Sequence, residues 1–259
     1  MRLNRAGWLL AGSLLLAAAG WKAILILRSL VPFNGDEAVV ALMARHILQG
    51  ERPIFFYGQA YMGSLDAFLI AAAFLLLGQS IWVVRLTQML LYLATMATTI
   101  LLGMELFGNW KTGFLAAAIL TVPAVNVTLY TTATLGGYGE AILIGNCLLL
   151  LALRISRKPG WIGMTGFGFL AGLGLWANAL TVVYTLPSLL FMGWRLHKQP
   201  VQRSIGLVLP LIVGGFAGSA PWWIFALQNG LPKLLIVHSI QKLNTQRRWC
   251  VLKLKNVWE

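Results

Sequence analysis

Acidic residues are scarce in this chain of 259 residues, where 7 Asp and Glu stand against 20 Lys and Arg. Cysteine is scarcer: Cys147 lies in an apolar run and Cys250 in a polar tail, which gives no basis for a disulfide framework. The three histidines, His46, His197 and His238, stand far apart, without the helical or loop spacing that gathers a metal ion. Internal repeats and low-complexity linkers are absent. The formal charge of +13 suggests a polyanionic partner, yet no long basic face with interleaved aromatics exists to hold a nucleic acid. A nucleic-acid partner is therefore set aside.

What the chain has in plenty is apolar surface. Hydrophobic residues make up 59% and charged residues 10%, and the mean hydropathy is +0.78. A soluble domain cannot hide that much hydrocarbon, whereas lipid can act as its solvent. The sequence opens MRLNR and runs apolar from Trp8 to Leu27, long enough to cross about 30 Å of hydrocarbon at roughly 1.5 Å per residue. It reads as a retained signal anchor rather than a cleaved peptide. Further apolar segments fall at 65–77, 82–103, 113–130, 141–153, 161–176, 179–193 and 205–227.

Short basic clusters orient these segments. Arg2 and Arg5 precede the first. Lys111, the group Arg154, Arg157 and Lys158, and the group Arg195, Lys198 and Arg203 follow later ones. If all four are cytoplasmic, spans between them come in even numbers. The pairs 113–130 with 141–153 and 161–176 with 179–193, turning at Ala177-Asn178, satisfy this. Three candidates lie between Arg5 and Lys111, one too many. The segment 65–77 is the short one and reads as a membrane-dipping helix. The expected fold is all-α, a polytopic bundle of about seven spans. A large first outer loop at about 28–81 holds an amphipathic helix and the dipping segment. Asp36, Glu37, Glu51 and Asp66 then share that loop, Glu140 lies in the next outer loop, and Glu105 is inside.

Three stretches carry candidate chemistry. In NGDEAVVALMARHIL, residues 34–48, Asn34 suits an N-cap and Glu37 can reach back in a variant capping box. Asp36 and Glu37 in the first turn favour the helix dipole, so a plain helix start and a catalytic pair stay open together. In PIFFYGQAYMGSLDAFL, residues 53–69, aromatic residues suit the interface. Asp66 opens an apolar helix, where an ionisable group is expensive and functional by default, and a plain helix-start carboxylate stays open beside that reading. In TLYTTATLGGYGEAILIGNCLLL, residues 128–150, threonines and glycines form a loop at membrane depth, tolerated around a cavity, with Glu140 at a helix entrance. Arg28, Arg45, Arg52 and Arg85 are the outer cations, able to hold a phosphate or to snorkel to headgroups. Arg28 is read as snorkelling, and Trp222 and Trp223 as interfacial belt residues.

The combination of NGDEAVVALMARHIL with FFYGQAYMGSLDAFL and GGYGEAIL resembles the GT-C membrane glycosyltransferases, the group that includes protein O-mannosyltransferases and aminoarabinose transferases. The resemblance covers roughly residues 1–230. It implies transfer of a sugar from a polyprenyl-phosphate carrier to an acceptor hydroxyl on the outer face. The expected location is a cell (plasma or inner) membrane, with the N-terminus cytoplasmic. It implies Asp36 as catalytic base, with Glu37 orienting it or holding the acceptor. Asp66, Glu140, Tyr57, Gln59, Tyr61, Arg45, Arg52 and Arg85 are the candidate substrate-binding residues. Expected partners are the lipid-linked sugar, membrane lipid, and a lipid, glycan or protein acceptor. No cofactor or metal site is assigned, and dependence on a divalent cation is left open. The basic tail, residues 231–259, departs from the family, whose members continue with more spans. A truncated or frame-shifted gene product, and so an inactive fragment, is one expectation. A transporter or lipid flippase and a non-catalytic membrane subunit are the alternatives.

Overall fold

The computed structural model describes residues 5–197 and 201–230, with the backbone alone at 60, 61 and 201–205. The basic tail with Cys250 and His238, and also Arg2 and Lys198, lie outside the described residues. Helices follow one another with little else between them. They are α1 (Arg5–Leu27), α2 (Gly35–Leu48), α3 (Leu65–Leu77), α4 (Ile81–Phe107), α5 (Trp110–Ile119), α6 (Val125–Tyr130), α7 (Tyr138–Arg157), α8 (Trp161–Ala177), α9 (Val182–Leu196), α10 (Val201–Gly218) and α11 (Ala220–Asn229). A short antiparallel ribbon, β1 (Phe55–Phe56) and β2 (Gln59–Gly63), joins α2 to α3. The protein is thus an all-α membrane bundle, as the periodicity and hydropathy predict.

Among the described residues four helices are long and apolar enough to cross a membrane: α1, α4, α7, and the run Ala179–Leu196 that includes α9. The bent pair of α10 and α11 makes a fifth if it is one span. About seven spans were expected. The segment 113–130 divides into α5 and α6 around Pro123, which cannot donate to a helix and disfavours helical backbone at the residue before it. The 10 residues of α5 rise only about 15 Å. The 17 residues of α8 lie at the short limit of the lengths that span a membrane. The segment 205–227 bends by 62° between Gly218 and Ala220, where Pro221 opens the second helix. The segment expected to dip is α3, 13 residues long, with a buried start and an exposed apolar end at Leu75, Leu76 and Leu77.

Packing divides the bundle into three cores. One lies between α2, the ribbon, α3 and the start of α4, around Val40, Met43, Ala67, Ile70 and Val84. Another joins α7, α8 and α10 around Leu148, Phe167 and Met164. The third joins α1, α4 and α5 around Ala18, Met96 and Ala117. The two ends of the bundle differ in chemistry. At one end the ribbon meets the loop that joins α6 to α7 and Asn178, whose backbone pairs with Met62 and whose amide donates to the Gly136 carbonyl at 3.3 Å. At the other end Arg157 of α7 donates to Glu105 of α4. The first, second and third predicted outer loops therefore converge on one end.

Candidate active site

The start of α2 sets the first part of the site. Asn34 has extended backbone and accepts from the Glu37 N–H at 2.9 Å, the N-cap its side chain predicts. Glu37 does not reach back to close a capping box. Its two carboxylate oxygens accept from Arg85 of α4, Oε1 from Nε at 2.9 Å and Oε2 from Nη2 at 3.1 Å. Both side chains are buried, Glu37 at 0% and Arg85 at 7% exposure. A buried guanidinium needs a charged partner far more than an exposed helix N–H needs a cap, so the long-range pair wins over the local one.

Asp36 is half-buried, and among the described residues its carboxylate makes no hydrogen bond or ion pair. It lines a cavity of about 350 Å³ whose other wall is Leu129 of α6 with Ala133 and Leu135 of the loop that joins α6 to α7. Next to it lies an apolar groove of about 360 Å³, formed by Ile26, Phe33, Ile81 and Trp82 with Arg85 as its one charged lining residue. Val31 and Pro32 line both spaces, so the two adjoin, with Asp36 lining one and Arg85 the other.

Asp66 and Glu140 come together behind that loop. Asp66, 1% exposed, accepts from the Ala67 N–H at 2.8 Å and from the Thr134 hydroxyl at 3.0 Å. Glu140 enters from the first turn of α7, 2% exposed, and lies close enough to feel the Asp66 charge. Neither oxygen of Glu140 and neither polar atom of the neighbouring Gln88 meets strict hydrogen-bond geometry among the described residues, although the two side chains lie close enough to interact. Gly139 admits Gln88 here, because a Cβ at that position would come within 2.6 Å of Gln88 Oε1.

The remaining candidates scatter. Arg45 and Arg52 are exposed, and Arg52 donates to the carbonyls of Ile47 and Glu51 at 3.2 and 2.9 Å. Tyr57 donates its hydroxyl to Glu51 Oε2 at 2.7 Å and stands 3.0 Å from His46 Nδ1. Partial burial, and then the Glu51 carboxylate, push the Tyr57 phenol up to about 12. Gln59 buries its Oε1 without a partner, and the Tyr61 side chain lies outside those described. Among the described residues no group of three or more His, Cys, Asp and Glu stands together as metal ligands.

Sequence reasoning missed Lys22 and Gln88, gave Asn178 only a turn, and placed the threonine run beside a cavity without singling out Thr131, Thr132 and Thr134; all six are buried. For Lys22 the signal was present, since a cation within an apolar span, here five residues before the end of α1, is exceptional. The others look like ordinary members of apolar or turn segments.

No curated protein and no solved structure matches the chain. The profile of the dolichyl-phosphate-mannose-protein mannosyltransferase family matches residues 64–225, a stretch that begins after Asp36-Glu37 and includes Asp66, Thr134 and Glu140. That stretch is more than half of the chain, so the protein belongs to the dolichyl-phosphate-mannose-protein mannosyltransferase family and is a multi-pass membrane glycosyltransferase of the GT-C kind.

Proposed function

We propose that the chain transfers a sugar from a polyprenyl-phosphate carrier to an acceptor hydroxyl at the outer face of the plasma or inner membrane, with its N-terminus cytoplasmic. The observation that carries this reading is the pairing of two adjoining spaces of different chemistry. One is lined by Asp36, whose carboxylate has no hydrogen-bond or ion-pair partner among the described residues, and the other is apolar with Arg85 as the charged residue of its described lining.

The prenyl chain would lie in the groove of Ile26, Phe33, Ile81 and Trp82, with its phosphate toward Arg85. Arg85 carries five N–H donors and commits two nitrogens to Glu37, so it retains donors for a phosphate oxygen. The acceptor hydroxyl would enter the neighbouring cavity beside Asp36. As its oxygen attacks the anomeric carbon, the bond from that carbon to the phosphate oxygen breaks and the phosphate leaves with the electron pair. The acceptor proton passes to Asp36. General-base help of this kind contributes about 10²–10⁴-fold, and a guanidinium at the departing phosphate stabilises charge where it develops. Glu37 then positions Arg85 rather than touching substrate. Asp66 and Glu140, with the amide of Gln88 beside Glu140, offer polar atoms to a sugar or acceptor.

The test supplies wild-type membranes with a polyprenyl-phosphate sugar and follows release of free polyprenyl phosphate. Release that depends on an added hydroxyl acceptor supports the reading. Release that ignores the acceptor, or none at all with a range of sugars, contradicts it. Cysteines placed at Gly78 and Gly137 and labelled from either side test the orientation, and both are expected outside.

A further inference from the structure

Lys22 sits well inside α1, a helix long enough to span the membrane, and is fully buried. A lysine near the lipid boundary ordinarily turns its ammonium out to the headgroups. This one turns inward. Its Nζ donates to Thr131 Oγ1 at 2.6 Å and Thr132 Oγ1 at 2.7 Å, and lies 3.4 Å from the Thr128 carbonyl and 4.3 Å from the centre of the Tyr92 ring. The Thr131 hydroxyl gives its own proton to the Val127 carbonyl at 2.5 Å, which leaves its lone pairs free to accept from the ammonium. Among the described residues no carboxylate pairs with Lys22 within 4.0 Å. All its partners belong to α4, to α6 or to the loop that joins α6 to α7.

That loop is the shared wall of both acidic sites. Ala133 and Leu135 face Asp36 across its cavity, while Thr134 holds Asp66. From this arrangement we infer that Lys22 is a positioning residue for the transfer site. It clamps residues 128–132 to α1 and α4, and so fixes the wall against which an acceptor binds beside Asp36. The inference rests on the reading of the Asp36 cavity as the acceptor site. A neutral side chain could fill the same volume, but it would not hold two threonine hydroxyls and a carbonyl at once.

The test leaves the lysine in place and removes its acceptors. Thr131→Val with Thr132→Val keeps the shape and deletes both hydroxyls, whereas Thr131→Ser with Thr132→Ser keeps them. The apparent KM for acceptor is expected to rise about tenfold in the valine pair, with kcat and the donor KM within about threefold and the serine pair like wild type. Simple loss of folded protein would lower kcat instead. A cysteine at Leu135, in a background without Cys147 and Cys250, is expected to alkylate about tenfold faster in the valine pair. A cysteine at Gly160 at the opposite end should not change, and if it does, Thr132→Val alone carries the test. An unchanged Leu135 rate overturns the clamp even if no transfer is ever detected. A faster rate with unchanged acceptor KM overturns the positioning role. A faster rate in an enzyme without any transfer activity keeps the clamp but sinks the proposed function, and with it the positioning role.

Discussion

Glu37 and Arg85, 48 residues apart in sequence, form a two-pronged ion pair that joins α2 to α4 in the interior of the protein. This pair places Asp36, the next residue along, at the rim of its cavity while Glu37 points away from it. Adjacent acids at a helix start thus face opposite tasks: one is sequestered and the other is available.

Removing one partner of that pair leaves a buried charge uncompensated. Glu37→Gln is expected to cost about 3–5 kcal/mol of stability, measured by thermal unfolding in detergent. Replacing Arg85 by Gln as well should recover part of that loss. A Glu37→Gln protein as stable as wild type would show that the pair does not hold α2 against α4.

Tyr57 gives a pH signature in the first loop. Its phenol is raised from the ordinary 10.0 to about 12 by partial burial and by the Glu51 carboxylate. A group held above its ordinary value stabilises the fold fully below about pH 10 and loses that contribution as pH rises through about 12. The stability difference between wild type and Tyr57→Phe should therefore be constant through neutral pH and shrink only in strong alkali. A difference that begins to fade near pH 8 would contradict this.

Ser29 ends α1 in left-handed backbone, with φ of 51°, where a side chain is strained. The Leu30 N–H reaches the Leu25 carbonyl at 3.0 Å and the Ser29 N–H the Ile26 carbonyl at 3.1 Å, the double bond pattern that usually places glycine here. Ser29→Gly is expected to stabilise the protein by about 1 kcal/mol. Destabilisation in the same unfolding assay would mean that the Ser29 side chain makes a contact worth more than the strain.

How much of this was legible in the sequence depends on range. The N-cap at Asn34 and the helix that follows it are local, and the residues themselves dictate them. The short helix opened by Asp66 was legible from the length of its apolar run. The partners of Glu37 and Lys22 were not, because they come from 48 and about 110 residues away and nothing local encodes that meeting. Pro123 was visible, yet its weight against an apolar stretch was underrated, and the span expected over 113–130 is two short helices. Asp66 and Glu140 stood in different loops on the page. The fold puts them together by docking Thr134 and Gly139 against α3 and α4.

The central claim is that Asp36 takes the acceptor proton. Asp36→Asn removes the basic oxygen with almost no change of shape, and its half-exposed, partnerless carboxylate predicts stability within about 0.5 kcal/mol of wild type. In membranes supplied with a polyprenyl-phosphate sugar and an acceptor, kcat is expected to fall about 10²–10⁴-fold with donor affinity retained. Transfer that continues at the wild-type rate in Asp36→Asn would contradict the account.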